Sequence, residues 1–476
     1  MYYIIWLFVV VFNLPALFYP FIYIFIFFFY FFINYNYNRL FQLPWLQHVD
    51  CAKDYFGEKI GMYFLFLGHY TTWLISASIV GFFCWIDVAA GGNNPNARSM
   101  PFFATYMAIW STLFLEYWKR KEKTNAMKWG MVGFEDEEGT RPQFFGEKKD
   151  HPVTGREYLY FNRWTAYRRL VFTSSFVLTL IGIVIAVIAS IFYLRISLSR
   201  REDMNVGGVA LAGIIASVLN ALQIQVFNAI YSDIAIKFTD YENHRTDTEY
   251  EDALIAKTFI FQFVNSFASL FYVAFIKPNI PMYDSCTGSC MSELQTTLGT
   301  IFLINLTVGN ITKVAVPAIT RRLKDKQLEE YDEVSEVEHN SIRGNYDVML
   351  GTFNDYAALV IQYGFATMFI CAFPLAVVNA FINNYVALRI DAWKLCQEFK
   401  RPEPRSMEDI GTWYAILETI SFVAVLTNSA LVAFTGNQLF HFSWPARVWI
   451  FIIMSAGILA FKYMVLNLYE CVAVLT

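Results

Sequence analysis

Residues 294–318 read LQTTLGTIFLINLTVGNITKVAVPA. The run is long and apolar enough to cross a bilayer, for which about 20 residues suffice, yet its second half carries Asn305, Thr307, Asn310, Thr312 and Lys313. An ionised side chain near the middle of a membrane helix costs about 2.5 to 3.5 kcal/mol on insertion scales, so it reaches for the surface, for a partner or for a watery path. Which of these holds for Lys313 depends on the helices that surround it.

Comparable runs lie at 62–87, 102–118, 170–194, 206–231, 254–276, 355–373, 374–392, 411–435 and 446–468, which with 294–318 makes ten. Pro374 separates the seventh from the eighth, where a helix must break. The whole chain fits this reading: 476 residues, 56% hydrophobic and only 16% charged, with 47 Phe and 29 Tyr. The fold expected is an all-α polytopic membrane protein, in the plasma membrane or an endomembrane. A net charge of −4 without a basic stripe excludes nucleic acid as a partner.

Basic residues orient the spans. WKRKEK after the second, RRL before the third, RRLKDK after the sixth and KLCQEFKRPEPR after the eighth fall on one side, which the positive-inside rule makes cytoplasmic. RISLSRRED at 195–203 breaks the pattern on the other side. The cytoplasmic segments are then 119–168, 232–253, 319–354 and 393–410, and their acidic runs FEDEEG, DYENHRTDTEYED and LEEYDEVSEVEH read as solvated faces. The first 33 residues carry no charge and lack the basic start and small-residue cleavage site of a signal peptide, so residues 1–50 read as an extra hydrophobic leader ahead of a domain over 51–476. Of seven cysteines, Cys286 and Cys290 lie close together outside a span; they form either a local disulfide or free thiols, and a metal site would need further ligands.

No nucleophile elbow, phosphate-binding loop or HExxH motif occurs in a suitable context, so an enzyme is not expected. What the chain does contain is a series of long strings: DYFGEKIGMYFLFLGHYTTWL (54–74), FLEYWKRK (114–121), FIFQFVNSFASLFYVAFIKP (259–278), YGFATMFICAFPLA (363–376), NNYVALRIDAWK (383–394) and RPEPRSMEDIGTWYAIL (401–417). In their order and spacing these resemble the anoctamin family of calcium-activated chloride channels and phospholipid scramblases, from about residue 51 to the last span. The resemblance implies a homodimer whose subunits each carry a groove formed by the third to seventh spans, with chloride or other anions and membrane lipids as partners. Two departures stand out. The large cytoplasmic domain that precedes the family's first span has no counterpart in residues 1–50, and the loop after FYVAFIKP is shorter than the family's.

The residues themselves also suggest a polar path. Asn220, Gln223, Gln225 and Asn228 lie on the fourth span, Gln262, Asn265 and Ser266 on the fifth, and Thr296, Thr297, Thr300, Asn305, Thr307 and Asn310 on the sixth. In lipid such groups must face one another or water, so for any one residue the alternative is a hydrogen bond that only glues helices together. By resemblance, calcium would sit among acids of the sixth, seventh and eighth spans. Here the matching positions read Gly309 (beside Asn310) and Lys313, Asp355 and Ala358, and Ala387 and Asp391. Two carboxylates of five remain, too few for an ion that takes six to eight oxygens. Calcium is therefore expected to be lost as a cofactor, with Lys313 either pairing with Asp355 or Asp391 or, four residues before Pro317, snorkelling to the headgroups. Transport of chloride, phospholipid or both, without calcium gating at this site, is the function expected; the alternative is a tether or regulatory subunit that has lost transport. Glu418, His69 and Lys462 are further charged or ionisable residues within spans; His69 reads as a packing residue and Lys462 as a snorkelling one.

Overall fold

The computed structural model describes residues 48–475 apart from 92–96, 151–154, 156, 201–204, 207–208, 281–283, 285, 287–288, 329–342, 437–438 and 440. The hydrophobic leader and most of the acidic run LEEYDEVSEVEH lie outside the described residues. Helices dominate: α1 (Val49–Phe56), α2 (Glu58–Ala90), α3 (Met100–Trp129), α4 (Arg163–Ser199), α5 (Leu211–Glu242), α6 (Asp247–Phe271), α7 (Cys290–Ile304), α8 (Asn310–Leu328), α9 (Val348–Met368), α10 (Ala376–Trp393), α11 (Thr412–Ala430) and α12 (Trp444–Leu475). The strands are short: β1 (Glu147–Asp150) pairs antiparallel with β2 (Glu157–Tyr160), and β3 (Asn205–Val206) with β4 (Val209–Ala210).

Among the described residues seven helices are long and apolar enough to cross a membrane: α2, α4, α5, α6, the α7–α8 run, α11 and α12. The other three expected spans are helices too, α3, α9 and α10, but less apolar. α4 shows what a lipid-facing helix looks like, since Leu170, Phe172, Phe176, Leu178, Ile183 and Ile185 all remain exposed along it.

The opening stretch holds a correction. The helix does not end near Pro317 but continues through it to Leu328. Its irregularity lies earlier, in a π-helical turn over Asn305–Gly309 that joins α7 to α8, an insertion of the kind that gathers at functional sites. The polar groups there are largely satisfied by their own helix: the Thr307 hydroxyl donates to the Leu303 carbonyl at 2.7 Å, Thr312 to Val308 at 2.8 Å and the Asn310 amide to Leu306 at 2.9 Å.

The chain divides into two compact units. One comprises residues up to 86 with 299–352 and 374–406. In it the turn between α1 and α2 lies against the segment after α10. Gly57 has φ +96°, and a Cβ there would come within 2.8 Å of Pro404 Cα, so only glycine fits. The Lys59 N–H donates to the Arg405 carbonyl at 3.0 Å, and Arg401 Nε donates to the Tyr55 carbonyl at 2.9 Å while its guanidinium covers the Tyr55 ring. The second unit comprises 87–298, 353–373 and 407–476. Here α4, α5 and α6 pack on one another, and α11 packs on α3 and α12. Its core is aromatic: Phe114 meets Tyr363, Phe267 meets Phe365, and Trp413 meets Phe353 and Tyr356.

Candidate functional site

In the first unit the candidate site centres on Asp391, two residues before the end of α10 and only 1% exposed. The Tyr63 hydroxyl of α2 donates to its Oδ2 at 2.6 Å, and Lys394 Nζ donates to its Oδ1 at 3.2 Å. Lys313 of α8 is half-buried, and its charge as well as that of Lys394 acts on Asp391. One turn before Asp391, Ala387 offers only a buried methyl. Gly309 has open space where a side chain would stand. Asn310, also of α8, donates its amide to Asn383 Oδ1 of α10 at 2.8 Å, so a neutral pair ties these two helices together two turns before Asp391.

These donors do not fit calcium. The cation needs several carboxylate and carbonyl oxygens, whereas both Asp391 oxygens already accept hydrogen bonds, one of them from an ammonium. Among the described residues no group of three or more His, Cys, Asp or Glu is placed to hold a metal. In the second unit Asp355 is buried on α9 and Ala358 is exposed one turn further on. Tyr63 carried no signal in the sequence. Lys394 did, through its three-residue spacing from Asp391 on one helix face.

Of the expected groove residues, those in the second unit form a hydrogen-bonded ladder between α5 and α6. Asn265, fully buried, donates to the Ile224 carbonyl at 3.1 Å and to Asn228 Oδ1 at 2.8 Å. These two bonds use both of its amide hydrogens and so fix the side chain's orientation. Its Oδ1 then accepts from Gln223 Nε2 at 2.6 Å. One turn along, Asn220 donates to the Ser269 hydroxyl at 3.0 Å, and the Ser217 and Thr297 hydroxyls meet at 3.3 Å. Asn220, Gln223, Asn228 and Asn265 in this unit, and Asn310 in the first, are thus engaged between helices. Gln262 is half-buried on α6. In the first unit Thr300 and Asn310 are buried and Asn305 is half-buried.

One further ionic group was not legible. Lys277 Nζ, fully buried, lies 3.0 Å from Asp284 Oδ1 and 2.8 Å from Glu293 Oε1, and Glu293 also binds Arg195. This accounts for Arg195 on the side opposite the basic loops: its charge is neutralised inside the protein. Cys286 and Cys290, in the same region, are joined by a disulfide with Cα atoms 5.2 Å apart. Lys462 does not snorkel. It is 3% exposed, donates to Ser421 Oγ at 2.5 Å and lies over the Phe422 ring at 3.9 Å, because Ser421 and that ring offer a partner within the bundle. His69 is buried beside the Trp73 ring.

Long apolar helices, an amide ladder between two of them and a buried carboxylate held by a phenol and a lysine define a polytopic helical membrane protein. Residues 52–472 match the family described as "Anoctamin: Calcium-activated chloride channel", and the chain belongs to that family. It is 32% identical over 468 residues to Anoctamin-7 of Mus musculus, covering 84% of this chain and 54% of the relative. To Anoctamin-4 of Homo sapiens it is 29% identical over 465 residues, 82% of this chain and 48% of the relative, and to Anoctamin-10 of Mus musculus 30% over 438 residues, 88% and 63%. The chain spans about half the length of the first of these curated relatives.

Proposed function

We propose that this chain conducts chloride, phospholipid or both across a membrane, as a transporter rather than an enzyme, and that its transport does not depend on calcium at the Asp391 site. Family membership supports the transport class. The observation that carries the calcium-independence is Asp391 itself, whose oxygens are taken by Tyr63 and Lys394 and whose charge is opposed by Lys313. Where relatives gate by filling an acidic cluster, a chain with a built-in ammonium is already in the neutralised condition. The pathway runs along the polar faces of the third to seventh spans in each subunit of a homodimer.

Reconstitution of the purified protein in liposomes tests this reading. Anion flux or fluorescent-lipid exchange that is equal with calcium and with a chelator is expected. Calcium-dependent transport abolished by Asp391→Ala overturns the gating part, and neither flux nor exchange overturns the transport part in favour of a tether or regulatory subunit. The variant combining Lys313→Glu, Ala358→Glu and Ala387→Glu restores acidic ligands at the matching positions and is expected to acquire calcium dependence.

A further inference from the structure

Glu122 lies on α3 just beyond the second expected span, on the side that the basic residues mark as cytoplasmic, and is only 4% exposed. Its Oε1 accepts the Ile410 N–H at 2.8 Å. The segment that it holds, residues 408–412, leads into α11 and is itself acidic. Other contacts pin the same segment. Glu408 Oε2 accepts the Gly133 N–H at 2.9 Å, and Asp252 Oδ1 accepts the Thr412 hydroxyl at 2.5 Å and its N–H at 3.3 Å. Gly411 takes a left-handed φ of +56° at the helix entry.

The charges around Glu122 are unbalanced. Asp409 of the segment bears on Glu122 directly, and Asp409, Glu408, Asp252 and Glu138 together bear on Glu135. From α9 and α11 the nearby titratable groups are the phenols of Tyr356 and Tyr414. The cation is Lys123, 3.3 Å from Asp409 and 3.6 Å from Glu408, on a side chain that is 57% exposed. Burial first, and then the neighbouring Asp409, push the Glu122 carboxyl up to about 8, against the opposing pull of the Ile410 N–H.

We propose that Glu122 is a proton-operated latch: uncharged, it lets the acidic segment 408–412 lie against α3, and on losing its proton it repels that segment and loosens the entry to α11. The latch is independent of the Lys313 reading, since it involves neither that residue nor any transported species. A group whose folded-state pKa is raised holds its proton more tightly in the closed form than in the open one. Its contribution is therefore complete below the ordinary carboxylate range, declines as pH rises and is gone above about 8.

Hydrogen exchange of the full chain in lipid nanodiscs, corrected for the chemical exchange rate and run from about pH 6 to about pH 9, reads the opening of 408–412 directly. The native protein is expected to lose protection in that segment by roughly tenfold per pH unit and then to level off near the upper end. Glu122→Gln keeps an acceptor oxygen for Ile410 but cannot ionise, so its profile should be flat. Asp409→Asn removes a like charge, so the levelling point should move to lower pH. A native profile as flat as that of Glu122→Gln overturns the latch, and so does an Asp409→Asn profile identical to the native one. If Glu122→Gln fails to fold, the Asp409→Asn comparison decides alone, because a purely structural role for these acids moves no pH midpoint.

Discussion

Asp391 shows what a buried carboxylate on a membrane helix requires of its neighbours. A carboxylate that is 1% exposed is tolerable only if its charge is opposed and its lone pairs are occupied, and here a phenol, a lysine one turn away and a second lysine on α8 meet both conditions. Tyr63→Phe removes one hydrogen bond to a charged acceptor and is expected to lower stability by about 1.5 to 3 kcal/mol, read as a lower thermal midpoint in detergent or nanodiscs. Asp391→Ala leaves the two lysines facing each other without the acid and should cost more, about 3 to 5 kcal/mol where the site is dry. Equal midpoints for the native protein and both variants would mean that water, rather than these groups, solvates Asp391. The sequence alone exposed half of this arrangement. Lys313 stood out because a lysine in an apolar run is conspicuous, and Lys394 lies at helical spacing from Asp391, but Tyr63 is separated from Asp391 by 328 residues and looks like any tyrosine in an aromatic span.

Among the elements, α5 and α6 show why a row of amides in a membrane helix is ambiguous when read as a string. A polar path and interhelical glue demand the same residue types, and the choice rests on whether the groups find each other. In this conformation Asn220, Gln223, Asn228 and Asn265 do. Interhelical hydrogen bonds in membranes contribute about 0.6 kcal/mol on average and up to about 1.7, so Asn265→Leu, which deletes three of them, is expected to cost about 2 kcal/mol and to free Gln223 and Asn228. A thermal midpoint unchanged in that variant would show that the ladder contributes nothing. The existence and order of the helices were legible from apolar runs, as was the break at Pro374 between α9 and α10, yet the π-helical irregularities were not. The π-helical turns at Tyr272–Ile276, Asn305–Gly309, Lys394–Glu398 and Leu431–Thr435 arise where one extra residue is accommodated in a continuing helix, and hydrophobic periodicity carries no mark of that. Pro317 misled for a related reason: a proline within a helix removes one hydrogen bond but does not end the helix when its neighbours are otherwise well packed.

At the scale of the whole molecule, each of the two compact units pairs several of its buried charges internally. Asp391 with Lys394 and Arg321 with Glu398 in one unit, and Lys277 with Glu293 and Lys257 with Glu242 in the other, each place a base within 3.2 Å of an acid. With its charge opposed by lysines of its own chain, Asp391 is expected to offer a cation little repulsion to relieve, and this is measurable without any transport assay. A ligand that binds only the folded state at a thousandfold excess over its dissociation constant adds about 4 kcal/mol of stability, so a micromolar calcium site would raise the thermal midpoint by several degrees at millimolar calcium. No such rise is expected for the native chain. The variant with Lys313→Glu, Ala358→Glu and Ala387→Glu should behave in the opposite sense, being less stable than the native chain in chelator, where Lys313→Glu and Ala387→Glu add charge of the same sign as Asp391, and regaining stability as calcium is added. A native midpoint that climbs with calcium and stops climbing after Asp391→Ala would place an ion where Tyr63 and Lys394 now stand, and would overturn the assignment of Lys313 as the internal cation.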